Sequence, residues 1–264
     1  EEHKKLFDVW NAMSKSYFKF IFGCFYENKY LINYLKKNPN LSLLDVGCGT
    51  GPLLRYIKLK GGLADYLGVD ISESCIQRAQ KIHKKNYFKK ISTLNLSEQL
   101  DGKKYDIVYS RDTVPHQLEP LKFIKSLIDA TKDILILRLR TRDLGSTIYD
   151  FEYSCQYMAG NEWVPYIVLN CGELIEFFKS QSIVKKIIMN KSYTILGGQN
   201  DRFIEKNLYL KKTGGAETTM IIFIDRNAKE EFKLHESTNI EGHKYLEKSK
   251  YKNFFLKILN KLSI

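Results

Sequence analysis

The chain has 264 residues, room for one large α/β domain with additions or for a domain with a small cap, and its 44% apolar content suits a packed core. A net charge of +12 raises contact with nucleic acid. The excess is largely Lys scattered through a sequence also rich in Asn, Ile and Tyr, as an AT-rich bacterial genome encodes, with no Arg-rich run; it reads mainly as solvated faces, and suits an anionic small partner such as a phosphorylated or nucleotide-linked molecule.

Residues 6 to 35 carry Leu6, Phe7, Trp10, Phe18, Ile21, Phe22 and Leu31 at helical spacing, and Asn38-Pro39-Asn40 ends the pattern. Leu41 to Val46 is a short apolar run ending in glycines, which predicts a buried parallel strand. A helix over Leu53 to Leu59 and a strand over Asp65 to Asp70 follow. Ser72 is a suitable N-cap for a helix running to about His83. Strands are predicted over Phe88 to Leu94 and Tyr105 to Ser110, then an amphipathic helix over Leu118 to Ala130. Lys132 to Leu139 reads as a central strand, Gly172 to Ser180 as a helix, and Ile183 to Met189 and Met220 to Ile224 as strands.

Repeated β-α-β with apolar strands predicts an α/β fold with a doubly wound, Rossmann-like sheet, of seven strands, carrying an N-terminal helical cap and inserts. The expected organisation is a cap over 1–40, a core over 41–226 and a basic amphipathic tail over 227–264. Two stretches break the alternation. Residues 151–170 hold Tyr153, Tyr157, Trp163 and Tyr166, and residues 191–218 hold Gly197-Gly198 and Gly214-Gly215. Each either roofs a pocket or is ordinary packing. In the tail, Leu246, Phe254, Phe255, Ile258, Leu259 and Leu262 interleave with Lys residues. Such a helix packs on its own domain or a partner, or rests on a membrane surface.

The five cysteines, Cys24, Cys48, Cys75, Cys155 and Cys171, are odd in number and lack a C-x-x-C pair, which argues against disulfides and zinc. They read as small buried hydrophobes in a reducing cytoplasm, the expected location. The numbered start shows no signal peptide, and no run is long and apolar enough to span a bilayer. No His, Asp and Glu set has a convincing metal spacing.

The chemistry concentrates between Leu43 and Ile57. A strand ends at Val46, and the chain turns through Gly47, Cys48, Gly49, Thr50 and Gly51 into a helix. Glycines there allow unusual dihedrals and close ligand approach. Free N–H groups at the helix start suit a negative group such as a carboxylate. Asp70 ends the next strand, nineteen residues after Gly51, where a carboxylate can accept both hydroxyls of a ribose. A dinucleotide loop would need a third glycine where Pro52 stands, and a Walker loop would need Gly-Lys-Ser/Thr.

The string Leu43-Leu-Asp-Val-Gly-Cys-Gly-Thr-Gly51, followed by Gly68-Val-Asp70, resembles the S-adenosylmethionine (SAM)-binding signature of class I methyltransferases over about residues 41 to 140. The resemblance implies SAM as cofactor. By it, Asp45, Gly47, Cys48, Gly49 and Gly51 hold the methionine part, Asp70 grips the ribose and Ile71 packs on the adenine. Asn95, with Leu96 beside it, stands where the family usually has an Asp near the adenine amino group; Asn makes a similar contact through its oxygen. Ser110 and Arg111 end the fourth strand beside the expected methyl group. Phe7-Asp-x-Trp10 and Tyr17 resemble the helical segment that closes over SAM in small-molecule members. Ser110 to His116 resembles the strand exit of quinone and sugar methyltransferases, which often carry Glu-His where this chain has Pro115-His116.

For a hydroxyl acceptor a base assists, and His116 is the first candidate because its pKa lies near neutrality; it is otherwise a structural residue of the following helix. Asp112 is the second, as base or as orienter. For an anionic acceptor no base is needed, and Arg111 would clamp the anion. The expected activity is O-methylation of a small anionic or sugar-type acceptor, in line with a general resemblance to methyltransferases of bacterial surface-polysaccharide clusters. An RNA methyltransferase and a non-catalytic SAM-binding protein are the alternatives.

Overall fold

The structure is a computed structural model and describes residues 12–62, 64–83, 85–91, 95–158, 162–198, 201–209, 214–227 and 231–238. Leu6, Phe7 and Trp10 of the expected leading helix, and the expected tail helix, lie outside the described residues.

Two helices lead, α1 (Lys15–Cys24) and α2 (Tyr26–Lys37), and the alternation starts with β1 (Leu41–Val46), α3 (Pro52–Lys60), β2 (Ala64–Asp70), α4 (Glu73–Ile82) and β3 (Phe88–Lys90). A short α5 (Leu96–Gln99) leads to β4 (Tyr105–Arg111), α6 (Pro120–Ala130) and β5 (Thr131–Arg142). Local chemistry sets the helix starts. Proline takes the first turn of α3 and of α6, where its missing N–H costs nothing. Ser72 caps α4 as expected, its hydroxyl accepting the Cys75 N–H. In α6, Pro120, Phe123, Ile124, Leu127 and Ile128 recur at helical spacing and are all buried.

The insert expected at 151–170 forms β6 (Cys155–Met158), β7 (Glu162–Pro165) and β8 (Leu169–Asn170). After α7 (Cys171–Ser180) and β9 (Val184–Tyr193), the second insert supplies β10 (Arg202–Phe203), and β11 (Gly215–Ile224) and β12 (Lys233–Thr238) follow. The second insert is narrower than expected, because β9 and β11 take both its ends.

The main sheet runs β12-β9-β11-β5-β4-β1-β2-β3, with β8 pairing β5. Strands β1 to β5 are parallel, whereas β11 is antiparallel to both β5 and β9. The doubly wound sheet expected of seven strands is the run from β3 to β9; β8 and β12 extend it to nine. Strand β12 lies in the stretch read as polar tail and is exposed at every residue, which suits an edge. A second sheet, β10-β6-β7, is antiparallel.

Alternating side chains feed two cores. Leu44, Val46, Val108, Leu135 and Leu137 pack with α6 and α7 on one face. Leu43, Tyr66, Ile107, Ile134 and Ile136 pack with α1 to α4 on the other. No helix of the described residues is long and apolar enough to cross a membrane.

Gly68, in the middle of β2, has no space for a side chain: a β-carbon there would come within 2.8 Å of the Tyr66 hydroxyl, 2.9 Å of Phe88 and 3.0 Å of Cys48. Gly68→Ala is expected to cost about 1–3 kcal/mol by overpacking, read as a lower urea midpoint.

Candidate active site

The chain winds outward from β1 to β3, then returns to the other side of β1 as β4. Ligands in such sheets bind beyond the carboxyl ends of the strands where the order reverses. Val46, Asp70 and Arg111 end the strands there.

The turn after β1 carries Gly47, Gly49 and Gly51 at φ of 77°, 53° and 83°. Such dihedrals suit glycine, which has no Cβ to clash. The N–H groups of Gly47 and Cys48 both donate to the Val69 carbonyl, at 2.9 and 3.1 Å, tying the turn to β2. A β-carbon on Gly47 would collide with Thr113, and one on Gly51 with Phe88 and His83. Two of these glycines therefore answer to protein packing, whatever the ligand.

Asp70 is fixed by two backbone donors. The Gly49 N–H reaches its Oδ2 at 2.9 Å, and the Ser72 N–H its Oδ1 at 2.9 Å. Next to it, Ile71 is 64% exposed, a large apolar side chain at the strand exit. Asp45 is buried and accepts the Tyr66 hydroxyl at 2.7 Å. Burial pushes its carboxyl up to about 7, against the lowering effect of that bond.

Three predicted binding residues turn their side chains into the protein. Cys48 is buried, its thiol directed to the Gly49 carbonyl. Ser110 is fully buried and donates to the Val46 carbonyl at 3.1 Å, holding β4 to β1. Leu96 is fully buried in the core. Asn95 is exposed at the N-cap of α5. Tyr17 lies in the first turn of α1, which packs on the helix after the glycine turn; the Arg55 guanidinium reaches the Met13 carbonyl at 2.7 Å and covers Phe18 at 4.3 Å.

Arg111 and Asp112 are both paired within the protein. The Arg111 guanidinium carbon sits 4.0 Å from the Phe25 ring centre, and its Nε is 3.2 Å from buried Glu27. A cation so enclosed is not a clamp for an incoming anion. Asp112, left-handed at φ 58°, is gripped by Arg138 and by Arg140, the latter at 2.7 Å. Burial opposes its charge, yet Arg138, Arg140 and Arg111 hold its carboxyl well below the usual carboxylate range. A carboxylate that resists protonation is a poor base.

The sequence reading missed the partners of these groups. Strand β5 continues past Leu139 as Arg140-Thr141-Arg142, and Arg138 and Arg140 both pair with Glu217 of β11. Arg142 pairs with Glu205 at 2.6 Å. The period of two among Arg138, Arg140 and Arg142 was the available signal, since it puts all three on one face.

His116 ends a turn of 3-10 helix after β4. Its Nδ1 lies 2.8 Å from the Pro165 carbonyl. A carbonyl only accepts, so Nδ1 carries the proton and Nε2 keeps a lone pair in the neutral ring. Burial lowers its pKa, with the Pro165 bond working the other way.

A family model described as a methyltransferase domain matches residues 20–185, more than half of the chain and all of β1 to β5. The chain belongs to this methyltransferase family. Its match takes in the glycine turn, Asp70, His116 and α7. No curated protein matches the chain. Solved structures that it resembles include magnesium protoporphyrin IX methyltransferase from Synechocystis PCC 6803 with bound SAM, at 18% identity over 74% of this chain and 77% of that one, TM-score 0.42. Another is the plantazolicin methyltransferase BpumL in complex with a pentazolic desmethylPZN analog and S-adenosylhomocysteine (SAH), at 17% identity over 85% of this chain and 90% of that one, TM-score 0.49.

Two outcomes follow for the methyltransferase domain. Asp45 has a folded pKa above its unfolded value of roughly 4, so stability falls as pH rises from about 4 to about 7 and then levels. Asp45→Asn removes that slope, and its advantage over the wild type in urea unfolding grows with pH by on the order of 1–4 kcal/mol. Glu27, 1% exposed, accepts the Thr219 hydroxyl at 2.9 Å besides facing Arg111. Glu27→Ala is expected to cost about 3 kcal/mol, measured the same way, because it strips a partner from a buried cation.

Proposed function

We propose that the chain transfers a methyl group from SAM to an oxygen of a small anionic or sugar-type acceptor, of the kind that enters capsule or other surface-polysaccharide precursors. The reading rests on one observation above all: the glycine turn clasped to Asp70 through the Gly49 N–H, at the β1/β4 reversal.

The residues present fit the cofactor. The left-handed turn brings backbone, without side chains, to where the methionine part would lie, with Asp45 beneath it. Asp70 is aimed by its two backbone bonds as a ribose acceptor would be. Exposed Ile71 offers an apolar face to the adenine, and Asn95 and Tyr17 are the further candidates for contact with the cofactor. When bound, SAM supplies a methyl group activated by a sulfonium. The protein's own work is then positioning and handling one proton. Holding the acceptor oxygen in line accounts for much of the barrier reduction. His116, neutral with Nε2 unprotonated, takes the acceptor's proton at that atom.

Calorimetry with SAH tests the cofactor reading. The wild type should bind, and Asp70→Ala should bind about a hundredfold more weakly, roughly 3 kcal/mol from lost charge-assisted hydrogen bonds. Absence of binding by the wild type, with uptake of a nicotinamide or flavin compound instead, refutes it. For His116, methyl-labelled SAM offered with phosphorylated and nucleotide-linked sugars should show a rate that drops as pH falls through a value below 6.5, where the ring gains its proton. His116→Ala should lose that limb and about a hundredfold or more in rate; an unchanged pH profile removes the base.

A further inference from the structure

Five arginines gather around the strand ends, and four of them are neutralised. Arg111, Arg138, Arg140 and Arg142 each face a carboxylate. Arg202, on β10 of the side sheet, is the exception among the described residues. Its guanidinium carbon lies 4.7 Å from the centre of the Tyr166 ring, and its buried Nε has no hydrogen-bond acceptor. Arg202 forms no ion pair with either of two acids, Asp201 beside it in sequence and Asp112. Asp201 accepts from Gln156 at 3.1 Å, and Asp112 is held by Arg138 and Arg140. A buried guanidinium N–H without an acceptor is a standing cost that a bound oxyanion would relieve.

The position matters as much as the missing partner. Thr113 closes directly over Gly47. Three residues on, His116 has its ring 6.1 Å from the ring of Tyr166, and Arg202 stacks on Tyr166. The Tyr166 hydroxyl accepts from Arg140 Nε at 3.2 Å, which steadies the ring. A continuous line therefore runs from the cofactor turn, through the proposed base, to an uncompensated planar cation. Stacking on an aromatic ring fixes the guanidinium plane and suits it to the fork of a carboxylate or phosphate.

We propose that Arg202, held on Tyr166 beside His116, binds the oxyanion of the methyl acceptor, so that the acceptor is a small molecule bearing a phosphate or carboxylate. This rests on the methyl-transfer reading, and its test separates the two. The full chain, saturated with SAH, is titrated with inorganic phosphate and separately with acetate, following the Arg202 Nε–H signal by NMR, assigned by its loss in Arg202→Gln. Phosphate or acetate should shift that signal saturably. The other backbone shifts that accompany binding should weaken at least tenfold in Arg202→Gln and persist in part in Arg202→Lys. The tighter of the two anions identifies the acceptor's charged group. No saturable shift, or equal affinity in Arg202→Gln, overturns the proposal. SAH titration of Arg202→Gln should match the wild type, showing that the fold is intact. If neither protein binds SAH while the anion still shifts Arg202, the cofactor reading falls and the anion site stands.

Discussion

Everything at the carboxyl edge of the sheet depends on one carboxylate, that of Asp70, bonded to two backbone N–H groups. One belongs to Gly49 in the turn after β1, the other to Ser72 at the head of α4. A single side chain thus joins two crossovers of the doubly wound sheet. The turn is clasped a second time when Gly47 and Cys48 share the Val69 carbonyl. Packing from outside explains why the backbone tolerates no side chain there: Thr113 presses on Gly47, and Phe88 with His83 on Gly51. A turn held from three directions is preorganised, and a ligand meeting it would have little ordering left to do.

Beside this turn stands a row of opposite charges. Glu27 from α2, Asp112 after β4 and Glu217 from β11 surround Arg111, Arg138 and Arg140. Burying such a set is no guarantee of stability, since each ion loses water. Its evident effect is geometric. It fixes the left-handed exit at Asp112, and through it the turn that carries Thr113 and His116. Three carboxylates matched to three guanidinium groups make this row neutral, so it contributes nothing to the net charge of +12.

The sheet was legible because its central strands are apolar runs separated by helices with clear caps, as at Ser72 and in α6. Asp70 and the glycine turn were legible because their spacing is local. Strand β12 was not, since Lys233 to Thr238 carries no apolar pattern and owes its form to pairing with β9. The surroundings of Arg111 were hidden for a different reason. Its place at the end of β4 was right, but only the fold shows that Glu27, eighty-four residues earlier in the chain, waits for it. Only packing shows that the side chains of Cys48, Ser110 and Leu96 turn inward. Arg202 and Tyr166 lie thirty-six residues apart in two inserts, and no local pattern joins them.

The order of the last strands bears on synthesis. Strand β11 lies between β5 and β9, yet it leaves the ribosome after both. Until it arrives, β5 presents an open edge and β9 has no seat in the sheet. The nascent chain therefore holds β5 paired to β4 on one side and open on the other over the more than seventy residues from Arg142 to Gly215. Late pairing of one antiparallel strand closes that edge, and a chain ending before residue 215 would emerge with β5 open on that side.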